Sequence, residues 1–332
     1  MKKSLFNLLA LLILLLVVSD CNKTLDPKIV STRETTNDGK TIVEATFNDG
    51  KQLYFKILSE NTASVTNASD FSMEAHYYWK CYGDMVVPSE FSHNSQPYTV
   101  VKIEPSAFMF CNKLRSIVVP NSVTDIGECA FEECSDLRAV EIPNTIECIN
   151  GRTFLRCKLL NTICFPEKLW MIETQAFSDC ESLDSIRLPE NLEVIHHGAF
   201  ERCIHLTTVE MGGKLESIAT EAFANCSQLS KITMPSVKAI YEGAFKNCVS
   251  LQSIDLPANI RELYRGAFSG CSSLTSVTCR AVLPPVTNYS GDPAGDPFPS
   301  CPIQEIKVPA ESVSTYKVTL GWSKYADRIV GI

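Results

Sequence analysis

The sequence predicts an α/β repeat solenoid, with one parallel β-strand in each coil and short helical or 3₁₀ turns between walls. Three observations carry that prediction. Phe recurs as Phe108, Phe131, Phe154, Phe177, Phe200, Phe223, Phe245 and Phe268, at intervals of 23 residues with a single interval of 22. Each of these is followed three residues later by Cys and six residues later by Leu. Beyond the Leu come apolar residues two apart, usually closed by Pro. A frame returning at a fixed period marks stacked units that bury their apolar sides only against their neighbours.

The elements follow in order along the chain. Met1-Lys2-Lys3, an apolar run from Leu5 to Val18 and then Ser19-Asp20-Cys21 have the charged start, short core and cleavage region of a secretory signal over residues 1–20. That run is short for a membrane-spanning helix. Residues 21–40 are polar and predict a flexible tether. Residues 41–97 predict a small β cap, because Thr41–Phe47 and Lys51–Leu58 flank the hairpin signal Asn48-Asp49-Gly50. Such a cap covers the unpaired backbone groups at the end of a parallel stack. The solenoid spans residues 98–309, opened by a partial copy from Tyr98 to Phe108 and closed by a degenerate ninth copy from Phe298 to Pro309. The Pro- and Gly-rich stretch from Pro284 to Pro297 interrupts the last copies, either as a contact loop or as a tolerated insertion. Residues 310–332 predict a short helix and a closing segment, a C-terminal cap.

One copy shows why the coil has this form. In Phe177–Ile195, Ile186 and Leu188 lie two apart between Ser185 and Arg187, the pattern of a strand with one buried face. Pro189 ends the strand because it cannot donate to a ladder, and Leu192 and Ile195 turn inward on another wall. The apolar spacing of three through Phe177, Cys180 and Leu183 suits a helical or 3₁₀ turn. The strands are then Ser116–Val119, Ala139–Ile142, Thr162–Phe165, Ser185–Leu188, Thr208–Met211, Lys231–Met234, Ser253–Leu256 and Ser276–Cys279, stacked at about 4.8 Å.

This pattern resembles the BspA-like, or treponemal-type, leucine-rich repeats of surface lipoproteins of Bacteroidetes and related bacteria. The resemblance covers roughly residues 85–332, including the ending Gly321-Trp322-Ser-Lys-Tyr325-Ala-Asp-Arg-Ile329, and it implies a leucine-rich-repeat-like solenoid. The Asn ladder of other leucine-rich repeats would fall at Ser122, Thr145, Lys168, Asn191 and Lys214, which cannot form one. The resemblance implies that the Cys of the Phe-x-x-Cys turn replaces it. It further implies adhesin-like binding of host matrix or plasma proteins such as fibronectin or fibrinogen, or of other bacteria. Cys21 resembles the lipid-modified cysteine of bacterial lipoproteins, although Asp20 departs from the small residue usual before it. The implied location is lipid-anchored at the outer membrane or cell surface; the alternative is plain secretion.

Charge and cysteines narrow the function. The net charge of −8, about −9 without residues 1–20, disfavours nucleic acid, which recruits clustered Lys and Arg. Nine of the fifteen cysteines, from Cys111 to Cys301, share the one repeat slot, which predicts a buried ladder of thiols rather than a disulfide framework. Cys279 takes an inward strand slot and Cys164 an outward one. No C-x-x-C pair supports a zinc site. His196, His197 and His205 are the densest histidine cluster, in variable outer turns that predict solvated side chains rather than metal ligands. Gly212-Gly213 replaces a Pro at a strand end and is not a phosphate loop. Nothing marks a nucleophile or an acid–base pair, so the reading is not an enzyme, with neither cofactor nor metal.

What remains is surface. One outward column reads Ser116, Ala139, Thr162, Ser185, Thr208, Lys231, Ser253 and Ser276; the other reads Val118, Glu141, Cys164, Arg187, Glu210, Thr233, Asp255 and Thr278. Apart from Ala139 and Cys164, these residues make the predicted binding face for a host or bacterial surface protein, and the same hydroxyls also serve to solvate a sheet. A glycan-binding or scaffold role in a surface polysaccharide system is the alternative. The columns carry no aromatic for it, whereas Trp170, Tyr241 and Tyr264 on other turns do.

Overall fold

The computed structural model describes residues 28–37, 40–67, 81–287 and 295–332. The expected signal segment and Cys21 lie outside the described residues. The chain divides into two compact units, residues 1–168 and 169–332.

The N-terminal unit begins with seven strands, β1 (Ile29–Asn37), β2 (Lys40–Phe47), β3 (Gln52–Ile57), β4 (Thr62–Thr66), β5 (Tyr82–Val86), β6 (Glu90–His93) and β7 (Gln96–Ile103). All but β5 join in the order β1-β2-β3-β4-β7-β6. Gly50 makes the β2–β3 turn with a φ of 81° that favours glycine. Two expected boundaries need correcting. Residues 29–37, expected within the tether, form β1, paired antiparallel with β2 from Ile29↔Phe47 to Asn37↔Lys40. The division at residue 98 falls inside β7, whose start pairs with β6 and whose end pairs in parallel with Asp125–Ile126 of the first coils. One strand therefore serves both cap and stack. Phe55 and Phe91 stack at 4.2 Å inside the cap. His93 on β6 reaches Thr32 Oγ1 (2.9 Å) and Glu34 Oε2 (3.2 Å) on β1, so the two ends of the sheet order meet.

The first coils stack β5, Lys113–Val118, Ala139–Glu141 and Thr162–Ile163 into one parallel sheet. Behind it, the rings of Phe108, Phe131 and Phe154 stack at 5.1 and 5.4 Å with planes 6° and 1° apart. The Phe turn keeps the i→i+3 bonds of a 3₁₀ turn, as in Cys111 N–H to Phe108 O at 3.0 Å. It does not continue as a helix, because the residues two before and two after each Phe are left-handed: Ser106, Phe110, Cys129, Glu133, Arg152 and Arg156 have φ between 55° and 63°. Non-glycine residues hold that conformation only when their surroundings compel it. Here the compulsion is a second parallel ladder, in which the N–H groups of Ser106, Phe108 and Phe110 donate to Glu128, Ala130 and Glu132 of the next coil at 2.7–2.9 Å.

The C-terminal unit repeats this construction. Phe177, Phe200, Phe223, Phe245, Phe268 and Phe298 stack with centroids 5.2–5.6 Å apart. On the opposite wall the strands form two sheets rather than one. Ser185–Arg187, Thr208–Glu210 and Lys231–Thr233 make the first; Ser253–Leu256, Ser276–Cys279, Glu305–Val308 and Ile329–Gly331 make the second. The break coincides with the 22-residue interval between Phe223 and Phe245, where one residue is missing between the strand and Val237. The Phe stack bridges that coil at 5.5 Å, whereas Ile232 on the strand side is left half-buried. Gly212 also has a structural reason: a Cβ there would lie 2.2 Å from the Pro189 carbonyl oxygen.

The stack ends against a 3₁₀ turn (Ala310–Ser312), helix α1 (Val313–Val318), a second 3₁₀ turn (Ser323–Arg328) and the strand Ile329–Gly331. Trp322 and Tyr325 meet Phe298 edge-on at 6.1 and 6.0 Å, which closes the ring stack with the favoured aromatic geometry. Trp322 Nε1 donates to Pro285 O (3.0 Å) and the Tyr316 hydroxyl to Ala281 O (2.7 Å), so the buried polar tips are satisfied. Among the described residues no helix is long and apolar enough to cross a membrane.

Candidate binding surface

Strand register sets the geometry of the face. In the N-terminal unit Ser116 pairs with Ala139 and Ala139 with Thr162, and Val118 pairs with Glu141. In the C-terminal unit Ser185, Thr208 and Lys231 are register partners, as are Arg187, Glu210 and Thr233. After the sheet break, Ser253, Ser276 and Glu305 align, as do Asp255, Thr278 and Lys307. Register thus aligns these outward positions within each sheet, whereas Cys164, expected in a strand Thr162–Phe165, lies beyond Thr162–Ile163. Glu305 and Lys307 extend them through the ninth copy; the degenerate repeat signalled that strand, but its outward residues were not counted.

Accessibility differs from the expectation at one end. Ser116 is buried and donates its hydroxyl to Asp84 Oδ1 at 2.8 Å, and Ala139 beside it is buried as well. The cause is β5, a strand from outside the repeats that pairs with Lys113–Val118 and covers Ser116. Ser116 therefore leaves the accessible face. Val118, Thr162 and Cys164 are half-buried, and Glu141 is exposed. In the C-terminal unit Ser185, Arg187, Thr208, Glu210, Ser276 and Thr278 are half-buried, while Lys231, Thr233, Ser253 and Asp255 are exposed.

The charges on this face are largely matched within it. Arg187 lies 3.8 Å from Glu210, Arg280 binds both oxygens of Asp255 at 2.7 and 2.8 Å, and Lys307 lies 2.9 Å from Glu305. The carboxylate of Asp255 raises the Arg280 pKa. Another column follows the left-handed positions after each Phe: Arg156 with Glu133 in the N-terminal unit, then Arg202 with Asp179 and Asn247 with Asn225 in the C-terminal unit, at 2.6–2.9 Å.

The buried side of the same coils explains the cysteines. Cys134 and Cys157 donate their thiols to the carbonyls of Phe108 and Phe131 at 3.0 and 3.1 Å. Cys203, Cys226, Cys248, Cys271 and Cys301 do the same to Phe177, Phe200, Phe223, Phe245 and Phe268 at 2.9–3.3 Å. Each thiol ties its coil to the one before, the task an Asn ladder performs elsewhere. Among the described residues no two cysteines are joined by a disulfide. Burial pushes the Cys134, Cys157 and Cys203 thiols well up, which makes them inert. Cys129, half-buried beside Glu132, is pushed up to about 12 by burial and that carboxylate.

The histidine cluster does not converge. His205 Nδ1 lies 2.7 Å from the Glu181 carbonyl, His197 faces Glu221 at 3.9 Å, and His196 is exposed. Among the described residues no group of three His, Cys, Asp or Glu side chains is placed to share a metal ion.

A family model described as the BspA type leucine rich repeat region matches residues 101–227 and 193–318, in six copies. The chain belongs to the BspA-type leucine-rich repeat family. Solenoids of this family are generally non-enzymatic and point to protein–protein interaction at a surface. A leucine-rich repeat protein from Bacteroides ovatus is similar at a TM-score of 0.62 and 26% identity, over 77% of this chain and 69% of that one. A leucine-rich repeat protein from T. pallidum matches at a TM-score of 0.48 and 24% identity, over 73% of this chain and 91% of that one. A leucine rich cell surface protein from Faecalibacterium prausnitzii matches at 0.43 and 20%, over 91% and 94%. No curated protein matches the sequence. The repeated Phe, Cys and strand positions fall within the matched residues.

Proposed function

We propose that this BspA-type protein is an adhesin-like binding module, exported and held at the cell surface by a lipid on Cys21. Its partner is a host or bacterial surface protein of the fibronectin or fibrinogen kind. The observation that carries the reading is the strand face of the C-terminal unit. Its register-aligned Ser, Thr and paired charges offer a hydrogen-bonding surface without a greasy patch that would drive self-association. Surfaces of this kind gain specificity from how charges and hydroxyls are placed more than from area.

The test is binding of the exported chain to immobilised fibronectin and fibrinogen across salt concentrations, with Arg187→Ala/Glu210→Ala as the variant. Saturable binding that weakens with salt and falls about 10-fold or more in the variant supports the reading. Folding should survive this change, because both side chains are partly solvated and their 3.8 Å ion pair contributes only about 0–1 kcal/mol. Undiminished binding in the variant places the partner elsewhere. Palmitate incorporation that persists after Cys21→Ala would remove the anchor.

A further inference from the structure

On another wall of the C-terminal unit, one column of outer-turn residues reads Glu173, His196, Ala219, Tyr241 and Tyr264 in successive coils. The rings of Tyr241 and Tyr264 stack at 4.8 Å with planes 11° apart. Tyr264 is held in place by its hydroxyl, which donates to Glu262 Oε2 at 2.9 Å. Because the two rings stack along the coil direction, the second face of Tyr241 looks over Ala219. That residue is too small to fill the next place in the column. Tyr241 is 37% exposed and His196 beyond Ala219 is exposed. The column order and the ring stack imply a notch with Tyr241 and His196 as walls and Ala219 as floor.

We infer that this notch binds one pyranose ring of a neutral glycan. Three features select that occupant. Two coil steps separate the walls by roughly 10 Å, whereas a flat aromatic side chain between two carbon contacts fills only about 7–8 Å. A puckered sugar ring is thicker and presents C–H groups to the Tyr241 face and hydroxyls to the rim. The rim is acidic on balance: Glu242 accompanies the pairs Lys214–Glu193, Lys238–Glu216 and His197–Glu221. Such a rim opposes uronates and sulfated sugars. Finally, Trp170, 41% exposed, lies three coils away on the same side of the coils, so an extended chain meets aromatics at both places.

The test is calorimetric titration with neutral hexasaccharides of glucose, xylose and mannose, with the monosaccharides and a polyuronate hexamer alongside. Binding of at least one neutral hexamer, tighter than its monosaccharide, is expected. Tyr241→Ala should weaken it about 10-fold or more, and Ala219→Phe, which puts a ring between the two walls and leaves no room for a sugar, should abolish it. Tyr241→Phe should retain it, which separates a lost platform from a lost fold. Failure of every neutral hexamer at millimolar concentration overturns the assignment, as does binding indifferent to Tyr241→Ala and Ala219→Phe. Preference for the polyuronate, or Tyr241-dependent capture of a protein ligand instead, overturns it equally. The Arg187→Ala/Glu210→Ala variant should titrate as the unmodified protein, so this site and the strand face stand or fall separately.

Discussion

The Phe–Cys wall and the strand face of the C-terminal unit are built by the same coils, yet they use sequence in opposite ways. On the wall, Phe returns without substitution from Phe177 to Phe268, with ring planes no more than 11° apart between neighbours. Each thiol from Cys203 onward donates to the carbonyl of the Phe one coil back. On the strand face the equivalent positions hold Ser, Thr or Lys in one column and Arg, Glu, Thr or Asp in the other. A residue is dictated where it must satisfy the coil below and the coil above together. It is free where water occupies one side.

Breaking the wall should therefore produce the largest effect. Phe200 lies 5.2 Å from both Phe177 and Phe223 and is fully buried. Phe200→Ala should cost about 3–5 kcal/mol, read from urea unfolding. A loss no greater than that of an exposed substitution would mean that neighbouring coils close over the gap and that the stack is dispensable. The thiol ladder comes next. Cys226→Ala removes sulfur volume and the thiol donor to the Phe200 carbonyl, which keeps its bond from the Cys203 N–H at 3.4 Å, at about 1–2 kcal/mol. Cys226→Ser keeps a donor and should lose less. Equal losses would show that volume, not the hydrogen bond, holds Cys in this slot.

Repetition explains which parts were legible in the sequence. The Phe and Cys slots and the period-2 strands appear in eight regular copies and a degenerate ninth, so their burial and register could be read directly. The left-handed turn positions could be read only in part. Asp179, Asn225, Asn247 and Gly270 favour positive φ, whereas Phe110, Glu133, Arg156 and Arg202 do not and take it because an inter-coil backbone ladder imposes the conformation. Strand β1 was missed because Thr32-Arg33-Glu34-Thr35 has no apolar alternation. A signal was present, however: Asn37-Asp38-Gly39 repeats the Asn48-Asp49-Gly50 that marked the next hairpin. The burial of Ser116 follows from β5, a strand that no repeat encodes. The notch beside Tyr241 needed the stacking geometry, since the sequence named both tyrosines without showing that their rings meet.

The break between the two strand sheets sharpens the comparison, since there the wall stays in register and the face does not. Inserting one residue after Pro235 restores a 23-residue interval between Phe223 and Phe245. It should let Lys231–Thr233 pair with Ser253–Leu256 and add about 1 kcal/mol, through backbone hydrogen bonds and burial of Ile232. Amide exchange should slow on both strands. Unchanged exchange would show that something other than coil length separates the sheets.

The smallest effect lies at Glu201, on the water side of the Phe wall. Its pKa is raised above the ordinary 4.5, first by burial and then by the carboxylates of Glu221 and Asp179, with Arg202 and His197 acting in the opposite sense. A carboxyl whose folded pKa exceeds its unfolded one favours the fold below the unfolded pKa. That contribution is lost as pH rises through the folded pKa. At neutral pH the ionised Glu201 therefore opposes the fold, weakly because the side chain is partly solvated. Glu201→Gln should raise the melting temperature slightly at pH 7 and leave it unchanged near pH 3, where both side chains are neutral. A variant that is stabilised equally at both values would assign the gain to packing. One destabilised at pH 7 would show that attraction to Arg202 and His197 outweighs the burial and the neighbouring carboxylates.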